Sequence, residues 1–253
     1  MSLCAVIPAA GAGHRLGLDV PKLLLPLGRG RTVWTTLRDR LQHVADHVVV
    51  VLSPRAVPLF EQAARDDLAS GRVSFCVQEE PRGMGAAVAL GAPVFRHHQA
   101  LLVVWGDQAG VSSRTLAATG DALRSAGDSP RVVLPLVQVD RPYVQYVFDD
   151  AGRLARVRQS REGDACDPAG LSDVGTFGLS TRAYDGDWAR YLAARAVGER
   201  TSEVNFLPFL AHLSCAAGWP VTRIDVPDAE EARGINTRED LAFFRARFGR
   251  DVE

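Results

Sequence analysis

Short apolar runs recur along the first half of the chain, and polar stretches separate them. The runs are rich in Val and Leu and do not alternate with polar residues, which is typical of strands that are buried on both faces of a sheet. The pattern predicts strands at residues 3–8, 47–52, 73–77, 100–105 and 131–136.

The segments between these runs have helical spacing, at residues 32–45, 54–70, 84–95 and 112–126. Leu37, Leu41 and Val44 form one apolar stripe, and Leu116 and Leu123 lie on another. Alternation of strands and helices predicts an α/β fold of the Rossmann-like, doubly wound type. Its sheet would be mainly parallel, although mixed, with helices on both faces.

The pattern changes after residue 137. Residues 143–148 and 154–158 predict a hairpin around a turn at 149–152, and residues 174–179 and 221–226 predict further strands. Helices are expected near 181–197 and 204–217. A closing helix at 237–248 would have Thr237 as its N-cap, with Glu239 and Asp240 in its first turn. Because no repeat or linker divides the chain, we expect a single domain over 1–253.

The composition is that of a soluble globular protein, with 47% hydrophobic residues, 23% charged residues and a net charge of −1. Acidic and basic residues are mixed along the chain, so neither nucleic-acid nor membrane binding is expected. The four cysteines are isolated and have no metal-binding spacing, which favours a reducing compartment. The chain shows no signal peptide and no apolar stretch of membrane-spanning length, so we expect a cytoplasmic protein.

Lys22 is the only lysine among 29 Lys and Arg residues, and it closes a glycine-rich loop after the first predicted strand. The loop contains Gly11, Gly13 and Gly17, and glycines there let backbone amides approach an anion closely. Arg15 adds a planar, bidentate cation, whereas Lys22 is a compact point charge. We therefore expect Lys22 to contact phosphate.

Two other phosphate-binding loops fit poorly. A dinucleotide-binding fingerprint needs a third glycine where the chain has Leu16, and an acidic residue after the second strand, where the chain continues with Ser53. A Walker A loop needs Gly-Lys-Ser or Gly-Lys-Thr, which this loop does not contain. Both observations count against an NAD-dependent dehydrogenase.

Four ordered segments carry a resemblance to a known superfamily. The stretch from Ala9 to Pro21-Lys22 resembles the signature of the sugar-phosphate nucleotidyltransferases, in particular the uridylyltransferase domain of bacterial N-acetylglucosamine-1-phosphate uridylyltransferases. Residues 78–85 resemble the base-binding loop of that superfamily, residues 105–107 its metal segment and residues 234–238 its late asparagine-bearing loop. His14, Leu16 and Met84 depart from the usual residues.

The resemblance implies nucleotidyl transfer, in which a phosphorylated acceptor attacks an NTP and pyrophosphate leaves. Mg²⁺ would be held by Asp107 and Asn236, Arg15 would hold the β- and γ-phosphates, and Lys22 would reach the α-phosphate. UTP or CTP is favoured. Residues 1–136 would form the nucleotide-binding half and residues 137–253 the acceptor-binding half with the late metal loop. The implied nucleotide-binding residues are Ala10, Gly11, Ala12, Gly13, Gln78, Gly83 and Met84.

The acceptor side departs from the superfamily pattern. The sugar-binding glutamate of the superfamily corresponds to Arg158 or Gln159, and its asparagine corresponds to Thr176, close to Gly178. We take Arg158, Thr176 and Gly178 as acceptor-binding candidates. Arg156 and Arg158 share a strand face and could receive a strongly anionic acceptor, such as a phosphonate or a phosphorylated cyclitol. Such a pair is also typical of a solvated strand face.

Several alternatives stay open at this point. A cytidylyltransferase-type enzyme could use a non-sugar acceptor, such as a polyol phosphate or a molybdopterin-like compound. A regulatory protein could keep the fold and bind nucleotide without turnover, although Arg15, Lys22, Asp107 and Asn236 are all present. The sequence contains no hexapeptide repeat of the kind that forms the acyltransferase domain of bifunctional relatives. The sequence does not decide whether the protein forms a homo-oligomer.

Overall fold

The computed structural model describes residues 1–11, 17, 20–195 and 197–249, and an eight-stranded sheet forms the centre of this part of the chain. The strands are β1 (Leu3–Pro8), β2 (Pro26–Gly28), β3 (Arg31–Thr32), β4 (His47–Leu52), β5 (Val73–Val77), β6 (Ala100–Val104), β7 (Val132–Asp140), β8 (Val144–Phe148), β9 (Leu154–Gln159), β10 (Ala169–Asp173), β11 (Thr176–Ser180) and β12 (Val221–Asp225). The helices are α1 (Val33–Leu41), α2 (Val57–Ala63), α3 (Arg65–Ala69), α4 (Met84–Leu90), α5 (Ala92–Phe95), α6 (Ser113–Ala126), α7 (Asp187–Arg195), α8 (Leu207–Cys215) and α9 (Arg238–Gly249).

The large sheet has the strand order β10-β7-β11-β6-β1-β4-β5, and β12 pairs with β7. β1 pairs in parallel with β4 and β6, and β4 pairs in parallel with β5. β11 runs antiparallel to β6 and β7, so the sheet is mixed. Strands from both halves of the chain join this one sheet. The predicted α/β class, the mainly parallel but mixed sheet and the single domain are confirmed.

The strands at the centre of the sheet follow the predicted boundaries. β1, β4 and β5 cover the predicted ranges, and every residue of β1 is buried. Leu3 and Ile7 belong to one apolar core, whereas Cys4 and Val6 belong to a second core. Successive side chains of a strand point to opposite faces of the sheet. When both faces are covered, every position is apolar and the sequence shows no alternation.

The second half of the chain, residues 137–253, contains a strand that the sequence pattern did not predict. β10 pairs antiparallel with residues 136–140 of β7, which extends β7 beyond its predicted end at residue 136. The Ala-Gly-Leu-Ser-Asp sequence of β10 has neither β-branched residues nor alternation, so it carries no local strand signal. The predicted strand at 174–179 is found as β11, which begins at Thr176 and ends at Ser180.

Two predicted helices are interrupted. The helix predicted at 54–70 is a 3₁₀ turn followed by α2 and α3, which are separated at Ala64, where φ is −112° and ψ is 21°. The helix predicted at 84–95 divides at Gly91 into α4 and α5, with Pro93 in the first turn of α5. Proline has no N–H to continue the preceding helical ladder, so a new helix begins there.

The predicted hairpin and the predicted cap of the last helix are confirmed. β8 and β9 pair antiparallel in a small sheet of their own. The hydroxyl of Thr237 accepts the N–H of Asp240 over 3.2 Å, as an N-cap does. Among the described residues, none of the helices combines the length and apolarity that a bilayer crossing requires.

Candidate active site

A cavity of about 580 Å³ opens where β1, β5 and β6 end. The loops that follow these strands supply its first wall, because the carboxyl ends of parallel strands meet at one edge of a sheet. The cavity is lined by eight of the residues selected from the sequence: Ala10, Gly11, Lys22, Gln78, Gly83, Met84, Asp107 and Asn236.

The loop after β6 packs directly against the loop after β1. The N–H of Gly106 donates to the carbonyl of Pro8 over 3.3 Å. A Cβ atom at Gly106 would lie 2.9 Å from the Cβ of Ala9 and 3.0 Å from the Pro8 carbonyl oxygen. No side chain fits in that space, so glycine is required where the loops touch. This close approach brings Asp107 next to the predicted phosphate loop.

Lys22 joins the two predicted metal ligands. Its Nζ atom donates to Oδ2 of Asp107 over 3.0 Å and to Oδ1 of Asn236 over 2.8 Å. Asp107 and Asn236 lie 85 and 214 positions after Lys22 in the chain, so the fold brings together three remote segments. The Lys22 and Asp107 side chains are each 22% exposed. Partial burial reduces solvent screening and strengthens this ion pair relative to an exposed one.

Contacts on both sides hold the loop that carries Asn236. The N–H of Ile235 donates to the backbone carbonyl of Asp107 over 2.9 Å. The Asp240 carboxylate accepts the N–H of Asn236 over 3.0 Å and Nε of Arg233 over 2.8 Å. Burial acts to raise the pKa of Asp240, but the Arg233 and backbone hydrogen bonds outweigh it and hold that pKa below its usual value. The first turn of α9 thus fixes the Asn236 amide beside Asp107.

The two oxygens that meet at Lys22 form a donor set suited to Mg²⁺. This ion prefers hard oxygen ligands and is commonly held by one or two carboxylates together with substrate phosphates. Within the described ranges, no group of three or more His, Cys, Asp and Glu side chains could hold a metal ion. The Asp107 carboxylate and the Asn236 amide oxygen nevertheless converge on one cation, the Lys22 ammonium. The residues therefore fit a metal ion that phosphate oxygens help to bind.

Behind Asp107 lies a carboxyl that the sequence analysis did not select. Asp173 accepts the hydroxyl of Tyr146 over 3.1 Å and the N–H of Gly175 over 2.8 Å. The carbonyl of Gly175 in turn accepts the N–H of Trp105 over 2.9 Å. Burial raises the pKa of the Asp173 carboxyl, and the negative charge of Asp107 adds to that effect. These contacts support the segment that leads into Asp107.

The predicted base-binding loop, residues 78–85, is tightly packed. Gly83 has a φ of +97°, and a Cβ atom there would lie 2.6 Å from the Cβ of Glu203. The N–H of Gly85 donates to the carbonyl of Val204 over 2.8 Å. The Gln78 side chain reaches the same loop, since its Nε2 donates to the Gly83 carbonyl over 3.4 Å. Glycine is required at position 83 both by its φ and by lack of space.

A second wall of the cavity comes mainly from residues 137–253. The Trp105 ring packs against the rings of Phe177 and Phe206, with centroids 4.7 and 5.7 Å apart. The second wall consists of Trp105, Tyr143, Val144, Gln159, Arg161, Glu203, Phe206 and Leu207. It is largely apolar and aromatic, with three polar side chains set into it.

Two of these polar side chains differ in how they are bonded. Gln159 is 3% exposed, and its side-chain amide makes no hydrogen bond within the described chain. Its amide atoms reach the surface of the cavity, where they can donate to and accept from a ligand. Arg161, by contrast, donates to Oδ1 of Asn205 over 2.5 Å and to Oε2 of Glu203 over 3.3 Å. Its charge is therefore already neutralised by the protein.

The structure does not bring the three acceptor candidates to the cavity. The Arg158 guanidinium pairs with Asp167 at 3.1 Å, and it lies on the strand face opposite to Gln159 because adjacent strand residues alternate. Thr176 is fully buried in β11, and its hydroxyl has no hydrogen-bond partner among the described residues. A Cβ atom at Gly178 would lie 2.9 Å from Cδ1 of Leu123, inside the core. The suggestion of a strongly anionic acceptor also loses its basis, because Arg156 is paired with Asp164.

Part of the phosphate loop lies outside the described residues. Ala12, Gly13 and Arg15 belong to that part, so their roles stay predictions. Gly11 is described, and no described atom lies within 4 Å of a Cβ placed there. Gly17 has a φ of +60°, a conformation that glycine adopts readily.

Comparison with known proteins agrees with this geometry. Residues 5–172 match the family described as the MobA-like NTP transferase domain. The chain belongs to this family. Since the match covers the phosphate loop, the base-binding loop and Asp107, it includes most of the first wall.

Curated relatives of the chain are bifunctional GlmU proteins. The relative from Burkholderia thailandensis is 29% identical over 242 residues, and that from Paraburkholderia xenovorans is 30% identical over 242 residues. Each alignment covers 94% of this chain and 50% of the relative. The chain thus spans about half the length of the curated relatives that it matches.

Two solved structures share the fold. A Bacillus anthracis protein proposed to be a glucose-1-phosphate thymidylyltransferase has a TM-score of 0.76 at 15% identity, and the match covers 100% of this chain and 97% of that one. HddC from Yersinia pseudotuberculosis has a TM-score of 0.67 at 19% identity, with 97% and 99% covered. The chain therefore belongs to the NTP transferase family and shares the fold of these two proteins.

The second wall of this family member is where sequence reasoning missed most. Arg161 and Glu203 were not selected, although both line the cavity. Trp105 enters the sequence analysis only as part of the metal segment. A large aromatic residue directly before Gly-Asp is nevertheless a signal that could have predicted a ring in the cavity wall. No local pattern marked Glu203, because its place depends on how residues 197–205 fold back onto the chain.

Proposed function

We propose that the chain is a Mg²⁺-dependent nucleotidyltransferase. It would join the nucleoside monophosphate of an NTP, UTP or CTP by preference, to a phosphorylated acceptor and release pyrophosphate. The observation that carries the proposal is the meeting of the Lys22 ammonium with the oxygens of Asp107 and Asn236 in one cavity. The proposed domain comprises residues 1–253, with the nucleotide side in 1–136 and the acceptor side in 137–253.

The chemistry needs positioning and charge neutralisation more than proton transfer. An oxygen of the acceptor phosphate attacks the α-phosphorus, a new P–O bond forms, and the bond from the α-phosphorus to the bridging oxygen of the β-phosphate breaks. The electron pair of that bond leaves with pyrophosphate. Because the attacking oxygen is already anionic at neutral pH, no general base is required. The protein must hold two anions in line and offset their repulsion.

Different residues of the first wall would bind the metal ion and the phosphates. Asp107 and Asn236 would hold Mg²⁺, which supplies neutralising charge at the phosphates when it is bound. Lys22 contacts one oxygen of each of these two residues. In the proposed reaction the flexible Lys22 side chain would reach the α-phosphate and neutralise charge there. Arg15 would hold the β- and γ-phosphates, as the resemblance implies.

The nucleotide would lie along the loops of the first wall. Backbone amides near Ala10 and Gly11 would face the phosphates, together with Ala12 and Gly13. Gln78, whose side chain is buried in the wall, would read an edge of the base together with the backbone at Gly83 and Met84. A pyrimidine is the base that the resemblance implies for this loop.

The acceptor proposed is a sugar 1-phosphate. The second wall supports it, because an aromatic surface with an unpartnered amide suits a ring that carries hydroxyl groups. The name of the Bacillus anthracis neighbour refers to glucose 1-phosphate as well. The charged groups Arg156, Arg158 and Arg161 are all paired within the protein, which disfavours an acceptor with a second anionic group.

The test is pyrophosphate release with each of the four NTPs and a panel of acceptors: two sugar 1-phosphates, a polyol phosphate and a phosphonate. We expect release with one pyrimidine NTP and a sugar 1-phosphate. Chelation of Mg²⁺ should abolish the signal, and added Mg²⁺ should restore it. Asp107→Asn serves as the inactive control. No release from any pair by folded protein would overturn the proposal, and activity only with the polyol phosphate or the phosphonate would overturn the acceptor.

A further inference from the structure

Residues 197–205, the bridging segment, lie between the two walls of the cavity. Val197 and Val204 form an antiparallel bridge, so the segment folds back on itself. The N–H of Gly198 donates to the carbonyl of Glu203 over 2.9 Å, and Ser202 has a φ of +56° at the turn. The segment brings Glu203 into the cavity lining.

The bridging segment is bonded to the base-binding loop on both sides of Gly83. The N–H of Val204 donates to the carbonyl of Arg82 over 2.8 Å, and the Val204 carbonyl accepts the N–H of Gly85 over 2.8 Å. A Cβ atom at Gly83 would lie 2.8 Å from the same carbonyl oxygen. Because the contact is this close, the loop cannot move toward the segment. The position of the loop therefore depends on where the segment lies.

Glu162 holds the bridging segment in turn. Its side chain is 9% exposed. One carboxylate oxygen accepts the hydroxyl of Thr201 over 2.6 Å and Nδ2 of Asn205 over 3.2 Å. The other accepts the N–H of Arg200 over 3.2 Å. A Cβ atom at Gly198 would lie 2.5 Å from the carboxylate, so the segment closes around it.

The bonding of this carboxylate favours its charged form. Burial acts to raise the pKa of Glu162, but the hydrogen bonds from Thr201 and Asn205 and from backbone donors outweigh it, and the pKa is held below its usual value. Arg161 lies 3.7 Å away through its Nε atom. An ionised carboxylate can accept from all of these donors at once, which a neutral side chain of the same size cannot do.

We propose that Glu162 is a positioning residue for the nucleotide base. It holds the bridging segment against the base-binding loop and so fixes the loop that reads the base, although it does not itself line the cavity. The inference rests on the proposed function, since it assigns that loop to the base.

The proposal predicts which constants change. Glu162 contacts none of Lys22, Asp107 and Asn236, so the step at the α-phosphorus keeps its own residues. Loss of the carboxylate should let the loop take several positions, which weakens NTP binding and lowers the preference among bases. Turnover at saturating NTP should change much less.

The experiment compares Glu162→Ala, Glu162→Gln and Thr201→Val with the wild type. The last variant keeps the side-chain shape and removes the 2.6 Å hydrogen bond. The matched control is Glu199→Gln, which makes the same chemical change at an exposed position of the same segment. Calorimetry without acceptor gives Kd for each of the four NTPs, and steady-state assays give kcat and the acceptor KM.

In Glu162→Ala we expect Kd for the preferred NTP to rise about tenfold, as for loss of hydrogen bonds to a charged group. The ratio of Kd values between preferred and disfavoured NTPs should fall. Glu162→Gln and Thr201→Val should lie between this variant and the wild type, while Glu199→Gln should match the wild type. A lower Tm with unchanged Kd values and an unchanged ratio would overturn the inference and leave a structural role. If the wild type binds no NTP, the proposed function fails first, so the two failures are distinct.

Discussion

The two walls of the cavity are built in different ways. The first wall consists mainly of loops that follow strands of the parallel part of the sheet, and the Lys22 ammonium there meets the Asp107 carboxylate and the Asn236 amide oxygen. The second wall is assembled from a hairpin, a short turn and the bridging segment. Its charges are paired within the protein, as Arg161 is with Glu203.

This difference separates the reaction from its selectivity. In the proposed reaction, transfer at the α-phosphorus would depend on a few polar and charged groups whose positions the sheet determines. The choice of base and acceptor depends on segments that hold one another through side-chain contacts, such as Glu162 with Thr201. Changes at Lys22, Asp107 and Asn236 should therefore alter turnover, whereas changes in the second wall or in the contacts of the base-binding loop should alter Kd and KM.

The largest effect is expected for Lys22→Arg. The planar guanidinium cannot reproduce the contacts of a compact ammonium with Asp107, Asn236 and a phosphate. We expect the rate of pyrophosphate release to fall by about 10²–10³-fold, the usual cost of losing one stabilising group in a transition state. Circular dichroism and Tm should stay close to those of the wild type. Arg55→Lys, the reverse change at an exposed residue, is the control, and release at the wild-type rate by Lys22→Arg would contradict the proposed role.

Lys22→Met tests the same contacts through metal binding. The ammonium competes with a metal ion for the oxygens of Asp107 and Asn236, so its removal should tighten binding of Mn²⁺ in the absence of nucleotide. Electron paramagnetic resonance of free Mn²⁺ gives the affinity directly and does not depend on activity. Adding Asp107→Asn should abolish the gain. Equal affinity in the wild type and in Lys22→Met would show that Lys22 does not occupy the metal position.

The sequence predicted the first wall better than the second for a physical reason. Ala10, Gly11 and Asp107 directly follow apolar runs, and parallel strands bring such positions together without further information. Gln159 lies next to the predicted acceptor residue Arg158. Which of the two side chains faces the cavity depends on the orientation of β9, and the pairing of β9 with β8 and its packing against α8 determine that orientation. Glu162 meets Thr201 across 39 positions and Arg161 meets Glu203 across 42, and no local spacing predicts such contacts.

Gly178→Ala examines a residue that the sequence placed at the acceptor and the structure places in the core. The added methyl group would meet Leu123 at 2.9 Å and Thr119 at 3.0 Å. Overpacking of this kind costs about 1–3 kcal/mol of unfolding free energy, and each kcal/mol lowers Tm by about 2–4 °C in a chain of this size. Thermal unfolding should show the loss, with an unchanged acceptor KM. A raised KM with an unchanged Tm would return Gly178 to the acceptor site.

The smallest effect is expected for Arg158→Gln. Together with Gln159→Ala, this variant compares two neighbouring residues on opposite faces of β9. The Arg158 side chain is 29% exposed and pairs with Asp167 outside the cavity. A pair of this kind contributes no more than about 1 kcal/mol to stability, so acceptor KM and kcat should stay within error of the wild type. Gln159→Ala removes a cavity-lining amide and should raise the acceptor KM severalfold while the Kd of NTP is unchanged. If the two neighbours exchanged these results, β9 would present its other face to the acceptor, and the second wall would have to be redrawn around Arg156 and Arg158.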